Sequence, residues 1–291
     1  MRRNENDYKK SGSVEKIKNK PLISVVMPVY NAKKYVGKAI ESILNQTFNK
    51  FELIIVNDFS TDETMDVITS FSKKDSRIKI INNNTRLDIG NSLNRGIAFA
   101  SSNIIARMDA DDISIPDRLE LQFKLINSSR NIAVVGANII IMDTAENYIA
   151  TRTYPKSSDE LKACLFKYSP FAHPVVMFKK DMFNEAGGYD PKYSPTEDLD
   201  LWFRLGVKYR FASVSKNLLK YRLYEKSSSH KVIKSLELLV FKIRINAIFR
   251  YGYRPAIGDI AYNLLQFITL WFTPAKLRIK MYNVLRNNNF I

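Results

Sequence analysis

The chain has 291 residues, 45% of them apolar and 25% charged. That is enough to bury one large core or two small ones, and it excludes global disorder. A single cysteine, Cys164, excludes an intrachain disulfide and fits a reducing compartment. The formal net charge of +16 is concentrated at one end: residues 204–291 carry 17 Lys and Arg against 3 acids, whereas residues 1–203 set 28 bases against 26 acids. Such asymmetry points to an anionic surface, nucleic acid or lipid, as a partner.

Residues 1–20 are polar and charged without an apolar stretch, and read as a flexible lead-in rather than a secretory signal. "LISVVMPV" (22–29) is a continuous apolar run, the pattern of a strand buried on both faces. "AKKYVGKAIESILNQ" then spaces Tyr35, Val36, Ala39, Ile40, Ile43 and Leu44 as a helix does. "FELIIVND" is a second buried strand ending in Asp58, and Ser60 to Glu63 match a capping box that predicts a helix start. A third strand (78–81), an Asn-rich loop, a helix near 90–100 and a fourth strand, "NIIARMD", follow. This alternation predicts a mostly parallel α/β sheet flanked by helices, with right-handed crossovers. Ligands of such sheets sit beyond the carboxyl ends of the strands, where Tyr30, Asp58, Asp109, Asp111 and Asp112 all stand. No G-x-G-x-x-G or P-loop pattern is present, which argues against a dehydrogenase or P-loop enzyme.

Past Pro116, "PDRLELQFKLINSS" predicts a helix with Pro at its start. "IAVVGANIIIMD" predicts a buried strand broken at Gly136, and "PTEDLDLWFRLGVKY" a helix with Thr196, Glu197 and Asp198 in its first turn, where acids are favoured. Residues 231–251 predict a basic amphipathic helix. The apolar stretch 260–273, stopped by Pro274, would span roughly 21 Å as a helix, short of the ~30 Å hydrocarbon core, and is read as not transmembrane. The chain thus divides into the lead-in, an α/β catalytic region (21–225) whose pattern changes after Pro116 into a first half (21–116) and a second half (117–225), and a helical, basic extension (226–291).

Chemistry concentrates in a few places. Asp109 and Asp111 form a D-x-D at a strand end, where residues i and i+2 share a face. Two hard oxygen ligands suit Mg²⁺ or Mn²⁺ held jointly with a substrate diphosphate; the alternative is a solvated acidic turn with Asp112 or Ser114 capping the next helix. Asp58 is either a turn residue or an acceptor for the ring N–H of a nucleobase. Tyr30 either packs locally or stacks on that base. Arg86 is solvated or meets a phosphate, and His173 is structural or catalytic.

Three stretches carry a resemblance. "ISVVMPVYNAKKYVGKAIESILNQTFNKFELIIVNDFSTDET" resembles the nucleotide-binding half of family 2 glycosyltransferases of GT-A fold. "LNRGIAFASSNIIARMDADDISIPDRLELQ" is similar to the D-x-D half of that family, and "TEDLDLWFRL" to its acceptor-side E-D motif. The likeness covers roughly residues 22–223, in the family's order and spacing. It implies that Pro28, Val29 and Tyr30 line a base pocket, Asp58 binds uracil or a similar ring, and Arg86 lies near the diphosphate. Asp109 would contact ribose or diphosphate, with Asp111 as metal ligand. Asp198 would be the catalytic base supported by Glu197, with His173 and Trp202 on the acceptor side. The implied activity is metal-dependent inverting transfer of a sugar, UDP-hexose being the expected donor.

The chemistry needs such a layout. A transition state resembling an oxocarbenium ion leaves charge on the departing diphosphate, which a divalent cation offsets, and a separate carboxylate must take the acceptor's proton. The sequence also departs from the family. The usual acid pair of the second strand reads Asn57-Asp58, the usual Gly is Phe59, and Tyr224 stands near a position where relatives often carry His, with His230 close by. The absence of Q-x-x-R-W and of a transmembrane bundle argues against a processive polysaccharide synthase.

The basic tail shows no nucleic-acid motif, and its aromatic residues lie in apolar runs. It fits an amphipathic surface that attaches the enzyme to the cytoplasmic face of an anionic membrane near a lipid-linked glycan acceptor; the alternative is that it packs on the catalytic domain. Two other functions stay open at this point: a basic nucleic-acid-binding protein with an incidental D-x-D, and a sugar nucleotidyltransferase, although "PVYNAKKYV" lacks the glycines expected of the latter.

Overall fold

The structure, a computed structural model, describes residues 20–224, 230–274, 277–278 and 281, with the side chains of 230–233 outside the description. The expected lead-in, the His230 side chain and most of 275–291 therefore lie outside the described residues. Strands β1 (Ile23–Val29), β2 (Phe51–Asn57), β3 (Ile78–Asn82) and β4 (Ile104–Arg107) pair in parallel in the order β3-β2-β1-β4. Every residue of β2 and all but Pro28 of β1 are buried. Both faces are covered, which is why these strands read as unbroken apolar runs. Helices α1 (Val36–Leu44) and α2 (Thr64–Ser72) share one core with Val25, Met27 and Ile55, while α3 (Ile89–Phe99) packs Leu93 and Ile97 with Val26, Ile54 and Val56 on the other face.

The second half extends the same sheet. After β5 (Ile113–Ser114) and α4 (Arg118–Ile126) come β6 (Ile132–Met142) and β7 (Tyr148–Arg152), then short helices α5 (Ser158–Ala163) and α6 (Lys180–Glu185) flanking β8 (Met177–Lys179). Helix α7 (Glu197–Lys208) leads into β9 (Arg210–Arg222). Strand β8 joins β4 to β6 in antiparallel fashion, β9 runs parallel to β6, and β5 and β7 add antiparallel edges, giving one nine-stranded sheet.

Four local expectations are corrected. The capping box at Ser60 does not form: α2 starts at Thr64, whose N–H and hydroxyl both donate to Asp62, while Ser60 Oγ accepts from the Asn31 N–H at 3.1 Å. These polar residues join the loops after β1 and β2 instead of capping. Helix α4 starts at Arg118, and neither Asp112 nor Ser114 caps it; Asp117 takes the N-cap place. The strand through Gly136 is unbroken there. Glycine makes room for Phe171, whose Cδ1 would lie 2.3 Å from an added Cβ, and the register irregularities fall between Ile132 and Val134 and after Ala137. Finally, β4 stops at Arg107, so the D-x-D occupies the turn beyond the strand rather than one face of it.

Helices α8 (His230–Tyr251) and α9 (Ile257–Phe272) follow. The first buries Ile243 and Ala247 with α7, and Asn246 donates to the Tyr193 hydroxyl at 2.9 Å. The second is tied to α8 by Arg244, which donates to Asn263 at 2.8 Å. Ile245 and Phe249 of α8 are nonetheless exposed, so apolar residues occupy more than one side of it. The single apolar face expected there is absent because α8 is packed against both α7 and α9. Among the described residues no helix is long and apolar enough to cross a membrane.

Candidate active site

A cavity of about 510 Å³ opens at the carboxyl ends of β1 and β4, lined in part by Pro28, Tyr30, Tyr35, Asp109, Asp111 and Tyr224. Val29 and Asp58 are buried beside it, joined where the Asp58 N–H donates to the Val29 carbonyl at 2.8 Å. Asp58 Oδ1 accepts from the Asn83 amide at 2.7 Å and the Leu87 N–H at 2.8 Å. One carboxylate oxygen thus fixes the loop that carries Arg86, whose guanidinium lies 3.9 Å from the Tyr30 ring centroid. Such a contact is attractive, and it brings Tyr30, Asp58 and Arg86 together.

Two departures from the family have local reasons. Asn57 donates its amide to Asn82 at 3.1 Å and accepts from the Ser60 N–H at 3.2 Å; an ionised aspartate would do only the second. Phe59 stands in the left-handed region at φ 60°, the conformation a glycine adopts without strain.

The acid cluster lies in the turn after β4. Asp109 Oδ2 accepts from Arg107 at 2.7 Å, Asp111 Oδ2 from the Tyr224 hydroxyl at 2.8 Å, and Asp112 Oδ1 from the Arg222 N–H at 2.8 Å. One carboxylate oxygen from each acid lies within 4.8 Å of the others. Burial first, then the neighbouring acids, raise Asp112 well above the usual carboxylate range; burial also raises Asp109, against the pull of Arg107. The fully buried Arg118 backs the turn, donating to the Arg107 carbonyl at 2.5 Å, and burial pushes it down to about 9. Asp112 is 1% exposed, and its Oδ2 has no hydrogen-bond partner among the described residues. Three hard oxygens, one of them orphaned, fit an oxygen-seeking divalent cation. The partner left unmade is expensive unless something meets it.

The second carboxylate set opens α7. Glu197 is 1% exposed, whereas Asp198 is half-buried. Gly90 packs beside Glu197: a Cβ there would sit 3.4 Å from its Cγ and 3.3 Å from Asp88 Oδ1. The loop held by Asp58 therefore leads into the first turn of α3, which packs beside Glu197. Burial pushes Glu197 up to about 7, and raises Asp198 while the Leu199 N–H and Arg107 oppose it. The Trp202 indole also lowers Asp198, although its N–H completes no hydrogen bond of good geometry.

His173 Nε2 shares a 2.8 Å hydrogen bond with the Tyr189 hydroxyl, and burial holds the imidazole well below its ordinary value, hence neutral. Tyr189 is itself fixed by Asn94, which exchanges hydrogen bonds with its backbone, and Arg204 of α7 donates to the Gly188 carbonyl at 2.8 Å. Trp202 is fully buried and packs edge-on against Phe171 and His173. It supports the wall behind Asp198 and offers no surface to an acceptor, unlike the expectation from sequence.

Two arginines of the site went unnoticed in the sequence. Arg107 is 2% exposed, ion-paired to Asp109, and its charge also lowers Asp198 and Glu197. The fully enclosed Arg222 side chain donates to the Asp111 carbonyl at 2.8 Å, pairs with Glu146 at 3.2 Å and lies 4.3 Å from the Tyr35 ring centroid. The available signal was a cation inside a run otherwise apolar enough to be buried on both faces, as in "NIIARMD".

Residues 24–187 match the family model described as Glycosyl transferase family 2. The chain belongs to that family. Among relatives of this family 2 glycosyltransferase, the O-antigen biosynthesis glycosyltransferase WbnJ of Escherichia coli is 35% identical over 230 residues, 77% of this chain and 88% of that protein. The amylovoran biosynthesis glycosyltransferase AmsE of Erwinia amylovora is 28% identical over 231 residues, 77% and 86% of the two chains. The fold is that of Staphylococcus aureus TarS 1–349 solved with UDP, at TM-score 0.61, 18% identity and coverage of 79% and 67%. It is also that of the mannosyltransferase PcManGT of Pyrobaculum calidifontis, solved with GDP-Man and Mn²⁺, at TM-score 0.60, 16% identity and coverage of 86% and 70%. The family 2 enzyme therefore has the GT-A architecture.

Proposed function

We propose that this family 2 glycosyltransferase transfers a sugar, with inversion, from a nucleoside-diphosphate sugar to a hydroxyl of a lipid-linked glycan in surface polysaccharide assembly. UDP-hexose is the proposed donor. The observation that carries the reading is a division of labour. Asp109 and Asp111 line the cavity beside Tyr30, Asp198 lines a different one, and the buried Arg107 acts on both sets.

Asp109, Asp111 and Asp112 would hold Mn²⁺ or Mg²⁺, which when bound offsets the charge of the leaving diphosphate. The remaining work belongs to the chain. Tyr30 stacks on the base, whose ring N–H Asp58 accepts, and Arg86 leaves Tyr30 for the diphosphate. Asp198 takes the proton of the acceptor hydroxyl as its oxygen bonds to the anomeric carbon and the bond to the diphosphate breaks. Glu197 keeps Asp198 in place, and His173, neutral, steadies that wall through Tyr189.

The solved complexes of TarS with UDP and of PcManGT with GDP-Man support a nucleotide donor. The names of WbnJ and AmsE support a polysaccharide product. Exposed Leu264, Ile268 and Phe272, at helical spacing on α9, together with the tail's positive charge, support attachment to the cytoplasmic face of an anionic membrane. The family assignment displaces the nucleic-acid and nucleotidyltransferase readings. Calorimetric titration with UDP is the test. Binding should require Mn²⁺ or Mg²⁺, be lost in Asp111→Asn and be indifferent to added DNA; metal-independent affinity that survives the substitution would refute the metal assignment.

A further inference from the structure

The second cavity, about 450 Å³, lies where α7, α8 and α9 meet. Its walls are largely apolar: Leu199 of α7, Leu236, Val240 and Phe241 of α8, and Leu265 of α9. Asp198 stands in the same wall, so a molecule occupying the cavity has the proposed base at its edge. Cations are also built in, since Lys167, Arg244 and Arg278 contribute to the lining. Arg244 is buried and held by Asn263 and Gln266, the half-buried Arg278 pairs with Glu237, and Lys167 lies 3.9 Å from Asp259.

Helix α9 presents apolar residues to both sides. Leu265 borders the cavity, whereas Ile260, Leu264, Ile268 and Phe272 form an exposed stripe at i, i+4 spacing. Lys234 lies 3.5 Å from the ring centroid of Trp271, next to that stripe. A bare apolar stripe beside cations is the composition of a surface that rests in a lipid interface. The cavity wall and the interfacial surface are thus two sides of one helix.

We infer that this cavity takes the aliphatic chain of the acceptor, a chain joined to its glycan through phosphate, and so delivers the acceptor hydroxyl to Asp198. The assignment rests on the transferase reading above and adds where, and by what chemistry, the acceptor is held. The apolar walls match the chain, Lys167, Arg244 and Arg278 match the phosphate, and a free glycan has no use for the aliphatic lining. The membrane-facing stripe sets the cavity beside the lipid from which such a chain would come. The extension is then part of the acceptor site as well as an anchor.

Farnesyl diphosphate, used without vesicles and below its aggregation concentration, is a suitable probe, with inorganic diphosphate as its chainless counterpart and UDP with Mn²⁺ as the donor control. Wild-type protein should bind farnesyl diphosphate at least tenfold more tightly than diphosphate. Val240→Trp and Thr269→Trp, which fill the cavity from two different helices, should each weaken that binding at least tenfold and leave UDP affinity unchanged. Ile149→Ser, an exposed apolar position on β7, should change neither. In the unmutated chain, farnesyl diphosphate should slow amide exchange in α8 and α9, a readout that survives if a tryptophan variant fails to fold. Equal binding of the chainless anion, no protection of α8 and α9, or undiminished affinity in the filled variants would overturn the inference while UDP binding keeps the donor reading intact. Protection of α8 and α9 without any UDP binding would overturn the donor assignment instead and leave the cavity assignment standing.

Discussion

Arg107 is the residue on which both halves of the site depend. Its guanidinium is enclosed, paired with Asp109 at 2.7 Å, and its charge favours the ionised forms of Asp198 and Glu197 against the effect of burial. Removing one partner of a buried pair leaves an uncompensated charge, at a cost of about 3–5 kcal/mol. Arg107→Met is therefore expected to lower the unfolding free energy by about that amount in urea titrations and to abolish sugar transfer; a variant of wild-type stability would show that the pair is not what holds the turn. Glu197 gives a prediction of different kind. Its folded-state value of about 7 exceeds the ordinary 4.5, so the fold favours the protonated acid. That contribution is complete at pH below 4.5 and is lost as pH rises through about 7. Melting temperature should accordingly fall across this window, and Glu197→Gln should flatten the slope. With Asp198 as the proposed base, the acid limb of the rate profile should follow its ionisation. The limb should lie above the usual carboxylate range, because burial raises Asp198.

At the scale of elements, close packing makes Gly136 an acute position. A methyl group there would overlap the Phe171 ring, which itself packs on Trp202 and Phe211. Gly136→Ala should destabilise by about 1–3 kcal/mol through overpacking, measured by thermal or chemical unfolding. Continuous apolar runs revealed β1, β2 and β4 because these parallel strands are covered on both faces, and the strand-end rule placed Tyr30, Asp58 and Asp109 just beyond strand ends. The local signals misled where tertiary demands took over the same residues. Ser60 and Glu63 had the letters of a capping box but serve to join two loops, through Asn31 and Lys33, and Gly136 has the letter of a break but gives way to a ring. Asp112, legible only as a cap or neighbour, is drawn into the acid cluster by β9, since Arg222 lies 110 residues away in the chain. Contacts of that range leave no mark in a local pattern. Trp202 failed for a related reason: sequence put it beside the acid pair, but its position on α7 turns it into the core.

For the whole molecule, the uneven charge separates two tasks. Residues 1–203 are almost neutral and supply most of the lining of the proposed donor cavity, while the basic remainder supplies Tyr224 of that lining, α8, α9 and the exposed stripe. Each basic residue near an anionic leaflet contributes on the order of 1 kcal/mol, screened by salt. Full-length protein should sediment with anionic vesicles at low salt and release at high salt, and truncation near residue 230 should prevent sedimentation. Retained, salt-insensitive binding by the truncated chain would contradict an electrostatic role for the tail.

The central claim is that one carboxylate set holds the donor and another takes the proton. Asp198→Asn tests it most directly, by measuring UDP affinity in Mn²⁺ and sugar transfer on the same preparation. The account predicts unchanged affinity with turnover lowered at least about a hundredfold, the usual scale of a lost general base. Near-normal turnover would contradict it and move the base elsewhere.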